Sequence, residues 1–406
     1  MTAWLNVVGL GAEGPQGLAP AVRTLIDNAE VLVGGRRHLD LAGNDRAEQL
    51  TWRLPLDTVM ADIAARRGRR VVVLATGDPM AYGIGTTLAR HFSRDEMTVL
   101  PAPGAFSLAA ARLGWPLDEA ICLTLHGRPL DLLNYHLLPG TRLLALSHDG
   151  TTPAAVARRL VECGFGNSRL TVLENMGATD EARIDTEAGA FGARKTADLN
   201  TLAIECVAGP GTPVRPHVAG LPDDAFHHDG KMTKRIVRAA TIAALAPQPQ
   251  KTLWDLGAGS GSVAVEWLRA TQNAQGKGAT AIAVERDAGR IAMIARNAAA
   301  LGTPFLDIRE GDIAVALPDL PDPDAVFIGG GLSIPGLVDT VYRRLRTGGT
   351  LVANAVTLEG EGVLATAYAA HGGTLDRIAI SHAEPVGKLT GWRPAMTVTQ
   401  WTCRKA

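Results

Sequence analysis

The chain has 406 residues, 46% of them apolar, with 40 basic and 41 acidic side chains and a formal net charge of −1. That is enough chain for two domains with their own cores. It excludes a global basic field for nucleic acid, an acidic tail and, because no apolar run reaches spanning length, a membrane segment. The four cysteines (Cys122, Cys163, Cys206, Cys403) are scattered without a CxxC pair. They argue against a disulfide framework or zinc site and for reduced thiols. The first residues lack a basic-then-apolar leader, so a soluble, cytoplasmic protein is expected.

In chain order, strands are expected at 5–10, 31–34, 71–76, 98–101, 121–125, 143–147, 170–174 and 202–207, with helices at 20–29, 85–92, 105–113 and 153–163. This alternation predicts an α/β architecture. The Pro/Gly-rich stretch 208–224 breaks both periodicities. Domains are therefore placed at 1–210 and 225–406, joined by a linker at 211–224. The second half restarts with a helix at 233–245. Strands follow at 252–256, 279–284, 325–328 and 350–354, and helices at 263–270, 288–300, 334–345 and 359–370. Strand-like segments at 376–381 and 395–402 close the chain.

Two glycine loops carry the chemistry. "VVGLGAEG" holds Gly9, Gly11 and Gly14, a literal GxGxxG, with Glu30 near the position of a ribose-binding acid. Alone it suggests a dinucleotide-dependent oxidoreductase, and that alternative is kept. Three later stretches point elsewhere. "LATGDPMAYGIG" carries Gly77, Asp78 and Pro79 after a strand, "PAPGAFSLAAARLG" carries Pro103 and Gly104, and "TVLENMG" follows. In this order they resemble the class III tetrapyrrole methylases, two α/β lobes with the cofactor in the cleft between them. The resemblance covers 5–207. It implies that Gly9, Gly11, Gly77, Asp78, Pro79, Pro103 and Gly104 bind S-adenosylmethionine. Glu13-Gly14 departs from the Gly-Asp that commonly ends that family's first loop.

The second loop, "DLGAGSG", places Asp255 before Gly257, Gly259 and Gly261, a GxGxG rather than the GxGxxG of an NAD domain. Glu285 ends the next strand, where a carboxylate can take both ribose hydroxyls. "EGD" at 310–312 ends a further apolar segment. Together these resemble the class I S-adenosylmethionine methyltransferases with a Rossmann-like fold. The resemblance implies that Gly257, Ala258, Gly259, Ser260 and Gly261 face the methionine part, Glu285 the ribose, and Asp312 and Ile313 the adenine, with Asp255 and Thr233 also at the cofactor. "FIGGG", with Gly329, Gly330 and Gly331, leaves room for a flat substrate. With "LPDDAFHHDGKMTKRIVRAA" it resembles the decarboxylating precorrin-6 methyltransferases of cobalamin biosynthesis, whose Met-Thr-Lys segment closes over the cofactor.

The two resemblances imply one S-adenosylmethionine per domain. They imply C5 methylation by the first domain and C15 methylation with C12-acetate decarboxylation by the second, giving precorrin-8. No catalytic constellation stands out, because an electron-rich macrocycle supplies its own nucleophilic carbon. The candidates are Asp78, His126, Lys231 and Lys234. A substrate rich in carboxylates calls for cations, so Arg36, Arg37, Lys231 and Arg235 are candidate substrate contacts with the three glycines. Lys231, Lys234, Arg235 and Arg238 stand at helical spacing, and a solvated basic face is the competing reading. Neighbouring His227 and His228 diverge on any regular element, so no metal site is expected. The expected partners are a small tetrapyrrole and further copies of the chain; an interleaved basic-aromatic stretch for nucleic acid is missing.

Overall fold

In the computed structural model, which describes residues 3–406 apart from the Pro15 side chain, four apolar runs and a half-exposed edge segment become an all-parallel sheet. Its strands are β1 (Leu5–Leu10), β2 (Val31–Gly34), β3 (Glu48–Thr51), β4 (Val71–Thr76) and β5 (Met97–Leu100), ordered β3-β2-β4-β1-β5. Strands buried on both faces need no alternation, hence the near-continuous valines. Val7, Val33 and Val73 pack with Val59, Met60 and Ile63 of α3 (Leu56–Ala64). Val8, Leu32 and Leu74 pack on the other side with Val22 and Ile26 of α1 (Pro20–Asp27) and Leu39 of α2 (Arg36–Ala42). Helix α4 (Gly85–His91) follows β4.

A second sheet contains β6 (Ala120–Thr124), β7 (Arg142–Leu146), β8 (Arg169–Glu174), β9 (Ala182–Glu187) and β10 (Asn200–Glu205), ordered β6-β7-β10-β8-β9. Only β6 and β7 run parallel. Phe106 and Ala109 of α5 (Ala105–Leu113) pack on Leu144, Leu173 and Ala203. Between β6 and β7 the chain leaves this unit. Pro129–Leu138, with short helix α6 (Leu133–His136), clusters with residues 213–406. Helix α7 (Thr152–Glu162) buries Val156, Ala157 and Leu160.

The unit comprising Pro129–Leu138 and Pro213–Ala406 is built on a seven-stranded sheet. Helix α8 (Arg235–Leu245) precedes β11 (Thr252–Leu256), α9 (Ser262–Arg269), β12 (Thr280–Glu285), α10 (Ala288–Ala300) and β13 (Asp307–Glu310). Then come α11 (Ile313–Ala316), β14 (Ala325–Ile328), α12 (Leu337–Arg344), β15 (Thr350–Ala355), α13 (Leu358–His371) and β16 (Thr374–Ile378). The order β13-β12-β11-β14-β15-β19-β16 is parallel except at β19 (Val398–Arg404), which is antiparallel to both neighbours. Strand order reverses between β11 and β14, so a crevice opens beyond their carboxyl ends.

Some elements differ from the expected pattern. Edge strands β3 and β9 were not expected, because half or more of their residues face water and no apolar run marks them. The strand expected at 376–381 spans two elements. The chain leaves the main sheet after Ile378 and forms an arm of β17 (Ser381–Val386) and β18 (Leu389–Pro394) around Gly387, whose φ is +63°. Helix α8 starts at Arg235, because Lys234 has extended backbone (ψ 154°). Lys231 and Lys234 therefore precede the helix instead of lying on its face. Among the described residues, no helix is long and apolar enough to cross a membrane.

Candidate active sites

In the first unit, three strand ends meet so closely that side chains do not fit between them. A Cβ on Gly9 would stand 1.8 Å from the Gly77 carbonyl oxygen, and one on Gly77 2.9 Å from Gly104 Cα. Backbone bonds lock the junction: Gly77 N–H donates to the Leu10 carbonyl (2.8 Å) and Ala102 N–H to that of Gly77 (3.1 Å). Gly77 has φ +58°. Beside it lies a narrow cavity lined by Leu10, Gly11, Thr76, Gly77, Pro103, Met176, Asn200 and Thr201, with Arg37 at its wall. Gly9, Gly11, Gly77, Pro103 and Gly104 thus come together. Asp78 caps its own turn, its carboxylate accepting from Met80 N–H at 2.8 Å. Pro79 packs under Gly83 and Gly85. Glu30 accepts from Arg70 N–H at 2.9 Å, a bond that holds its carboxyl below the usual range. Arg36 is exposed, and Arg37 is the arginine that reaches the cavity. Thr76, Asn200 and Thr201 were missed; they stand at strand ends that no local motif marks.

In the second unit, Gly257, Gly259 and Gly261 have φ of +69°, +60° and +73°, the left-handed region where only glycine is at ease. Gly261 starts α9, so free N–H groups follow at its N-terminus. A Cβ on Gly257 would stand 2.9 Å from Gly330 Cα; the two glycine stretches meet backbone to backbone at the switch point. Glu285 is buried, and its carboxylate accepts from Gly259 N–H (2.9 Å), Arg286 N–H (3.0 Å) and Asp287 N–H (3.1 Å). Asp312 begins α11, and Ile313 lies against Gly331. Gly329 faces the Phe327 ring.

Asp255 is fully buried. One carboxylate oxygen accepts from Ala264 N–H (3.0 Å) and the other has no partner among the described residues. Burial pushes its carboxyl up to about 7. The Ser260 hydroxyl is also buried and unpartnered. These orphaned polar groups, beside a backbone cradle that a Cβ would crowd, fit a ligand with its own polar atoms.

A lid segment lies over this loop. The Lys231 carbonyl would be 3.6 Å from a Cβ on Gly259. Asn297, wholly buried and missed by the sequence reading, ties the two together. It donates to the Ser260 carbonyl (2.8 Å) and the His227 carbonyl (2.9 Å) and accepts from His227 N–H (2.8 Å). Asp229 accepts from Lys231 N–H and pairs with Arg290 at 2.8 Å. Met232 packs against the core, Thr233 accepts from Arg238 through its carbonyl, and the Lys231 and Lys234 ammonium groups are exposed. Arg235 donates to the Gly220 carbonyl at 2.9 Å. Arg238, grouped with these by spacing, is fully buried and pairs with Glu266 (2.7 Å) and Asp223 (3.0 Å), so it fastens the lid and binds no substrate. Among the described residues, no cluster of three His, Cys, Asp or Glu could hold a metal.

A parallel sheet with an antiparallel seventh strand, a glycine cradle at its switch point and an acid on the next strand define an S-adenosylmethionine-dependent methyltransferase fold. A two-lobed α/β unit precedes it. Residues 5–191 match the family described as Tetrapyrrole (Corrin/Porphyrin) Methylases, and residues 224–405 match the Precorrin methyltransferase domain. The chain belongs to the precorrin-6Y C5,15-methyltransferase [decarboxylating] family. It is 47% identical to the Sinorhizobium sp. enzyme of that name over 407 residues, covering 100% of this chain and 97% of the relative. Relatives of single function match smaller parts. A Salmonella typhimurium cobalt-precorrin-7 C(5)-methyltransferase is 34% identical over 44% of this chain and 87% of its own length. A Pyrobaculum aerophilum probable cobalt-precorrin-6B C(15)-methyltransferase (decarboxylating) is 35% identical over 34% of this chain and 71% of its own. Among solved structures, the C-terminal domain of the Rhodobacter capsulatus precorrin-6Y C5,15-methyltransferase is 45% identical over 47% of this chain and 100% of that domain, with a TM-score of 0.44. The oxidoreductase alternative finds no support in these relatives.

Proposed function

We propose that the chain methylates a precorrin-6 macrocycle at two bridging carbons, each unit using its own S-adenosylmethionine. The first unit serves C5. The second serves C15 and removes the C12-acetate carboxyl as carbon dioxide, giving precorrin-8. The observation that carries this reading is the presence of two separate glycine cradles, Gly9–Gly77–Gly104 and Gly257–Gly259–Gly330, each closed by its own unit's strand ends. The names of the single-function relatives divide the chemistry the same way.

When bound, the cofactor supplies an electrophilic methyl group. The chain's own part is alignment and exclusion of water. In the second unit Glu285 would take the ribose hydroxyls, Asp312 and Ile313 the adenine edge, and Asp255 the positive end of the methionine part. Gly329–Gly331 would meet the macrocycle with backbone alone, since side chains at Gly329 and Gly331 would strike Phe327 and Ile313. Lys231 and Lys234, exposed and without an ion pair among the described residues, are placed to hold carboxylates and to stabilise charge as the acetate is lost. In the first unit Arg37 would hold a substrate carboxylate beside the cavity. We also propose a cytoplasmic protein, in keeping with four free cysteines, and a homo-oligomer, supported by exposed Leu389, Trp392 and Met396 on and beside the β17–β18 arm. Mass spectrometry of the product from precorrin-6B and S-adenosylmethionine tests the reaction. Two added methyl groups and one lost carbon dioxide are expected, and a product lacking either change overturns it.

A further inference from the structure

Replacing hydrogen by methyl on a bridging carbon has a requirement beyond alignment. The macrocycle carbon donates an electron pair to the methyl group, and the sulfur keeps the pair of the bond that breaks. The carbon then carries both hydrogen and methyl. Its C–H pair must return to the conjugated ring, so one proton has to leave. The chain should offer it an acceptor beside the first unit's cavity.

Two imidazoles stand just past the ends of β6 and β7, strands of the sheet that forms one wall of the cavity. β6 and β7 are parallel, with Thr124 opposite Leu146, and Leu125 N–H donates to the Leu146 carbonyl at 2.9 Å. Two residues past that register, His126 and His148 face each other with ring centroids 5.0 Å apart. Their backbones are pinned: His126 N–H donates to the Thr124 hydroxyl and His148 N–H to the Thr152 hydroxyl, both at 3.1 Å. Their rings are exposed, and no ring nitrogen is hydrogen-bonded within the described residues. Leu146, at the end of β7, lies opposite Thr201 of β10, which lines the cavity, and His148 stands two residues beyond Leu146, on the same face by strand alternation. The charged neighbours in sequence are Arg128 and Asp149. Asp149 is held as a carboxylate by the Thr151 hydroxyl and backbone, with a smaller contribution from His148. On the β10 side, Asp198 accepts from Gly150 N–H.

Building on the assignment of C5 to the first unit, we propose that His126 and His148 act together as the proton acceptor for C5 methylation. One imidazole takes the proton from the methylated carbon, and its neighbour, open to solvent, passes it out. His126 alone was legible in the sequence. His148 completes the pair only through the β6–β7 register.

The test uses the full chain with precorrin-6B and S-adenosylmethionine, comparing His126→Gln, His148→Gln and the double variant. Each single change should lower kcat for C5 methylation about tenfold and the double about 100-fold, with KM little changed. Exogenous imidazole should restore part of the double variant's rate. C15 methylation and carbon dioxide release in the same chain should be unaffected. Full C5 methylation by the double variant, a loss seen in KM alone, or a double variant that exogenous imidazole does not rescue would each overturn the proposal. Gly104→Arg separates it from the assignment beneath it. If that variant also methylates C5 normally, the C5 assignment falls and the proposal with it. If it abolishes C5 methylation while the histidine variants do not, only the imidazole pair is wrong.

Discussion

Glu285 holds Gly259 by the backbone: its carboxylate accepts from Gly259 N–H at 2.9 Å across the tips of β12 and β11. The acid proposed to bind ribose therefore also shapes the loop proposed to cradle the methionine part. Glu285→Ala removes both effects. Each lost charge-assisted bond costs about 1.5–3 kcal/mol, so S-adenosylhomocysteine affinity at the second site should fall more than tenfold. Glu285→Gln keeps an acceptor and should fall less. Calorimetry on the full chain would show one of two binding events weakened. An unchanged isotherm would mean that Glu285 serves only the turn after β12.

Asp255 gives a pH signature. Burial raises its folded-state pKa to about 7, above the ordinary 3.8. A raised carboxyl favours folding while it stays neutral. That contribution is whole below about pH 4 and is lost as pH rises through about 7. Asp255→Asn copies the neutral form. The stability gap between wild type and Asp255→Asn should therefore shift in favour of the variant between pH 5 and pH 8, by about 2–4 kcal/mol if the whole shift is expressed. Thermal unfolding of the ligand-free chain across that range checks it. Parallel curves would show that Asp255 stays ionised.

The Arg238–Glu266 pair should matter more to folding than to substrate. Glu266 also accepts from Gly220 N–H (2.7 Å) and Leu221 N–H (2.9 Å), so one buried carboxylate ties three segments. Arg238→Met leaves Glu266 charged and half satisfied, at a cost of about 3–5 kcal/mol. The midpoint of denaturant unfolding should drop for the second unit. The double change Arg238→Met/Glu266→Gln should recover part of the loss.

Tyr135 should be a stability residue of the second unit although it lies between strands of the first. Its ring stacks on His217 at 3.9 Å, and its hydroxyl donates to the Arg269 carbonyl at 3.0 Å. Tyr135→Ala is expected to cost about 3–5 kcal/mol. Beside it, His136 is buried with neither ring nitrogen hydrogen-bonded among the described residues, and burial, then His217, lowers its pKa to about 4. A lowered histidine contributes stability that is present above about pH 6.5 and is lost as pH falls through about 4. His136→Phe should flatten the acid limb of the unfolding profile. An acid limb identical to wild type would contradict this.

The glycine loops and central strands were legible because tight backbone approach demands glycine and double-sided burial demands unbroken valine. The edge strands were not, since a strand half in water carries no apolar signature. Arg238 shows the limit of spacing arguments. Its helical register with Lys231 and Lys234 suggested one basic face, yet Lys234 ends the extended segment and Arg238 turns inward to Glu266. Asn297 and His148 depend on partners 70 and 22 residues away, and such pairings exist only after folding.

The division of labour between the two units is most directly tested by isotopic carbon dioxide release and product mass in two loop variants. Gly259→Arg adds a side chain where a Cβ meets only the Lys231 carbonyl, at 3.6 Å; at φ +60° it strains the loop by about 1–2 kcal/mol, which a folded domain tolerates, and it should block the second cradle. Gly104→Arg is the counterpart for the first, because a Cβ there stands 3.5 Å from Asp78 Cβ, whereas one on Gly77 would strike backbone. With both variants folded, Gly259→Arg should lose carbon dioxide release together with the C15 methyl, while Gly104→Arg should release carbon dioxide and lack only the C5 methyl. Carbon dioxide release that survives in Gly259→Arg and vanishes in Gly104→Arg would contradict the assignment.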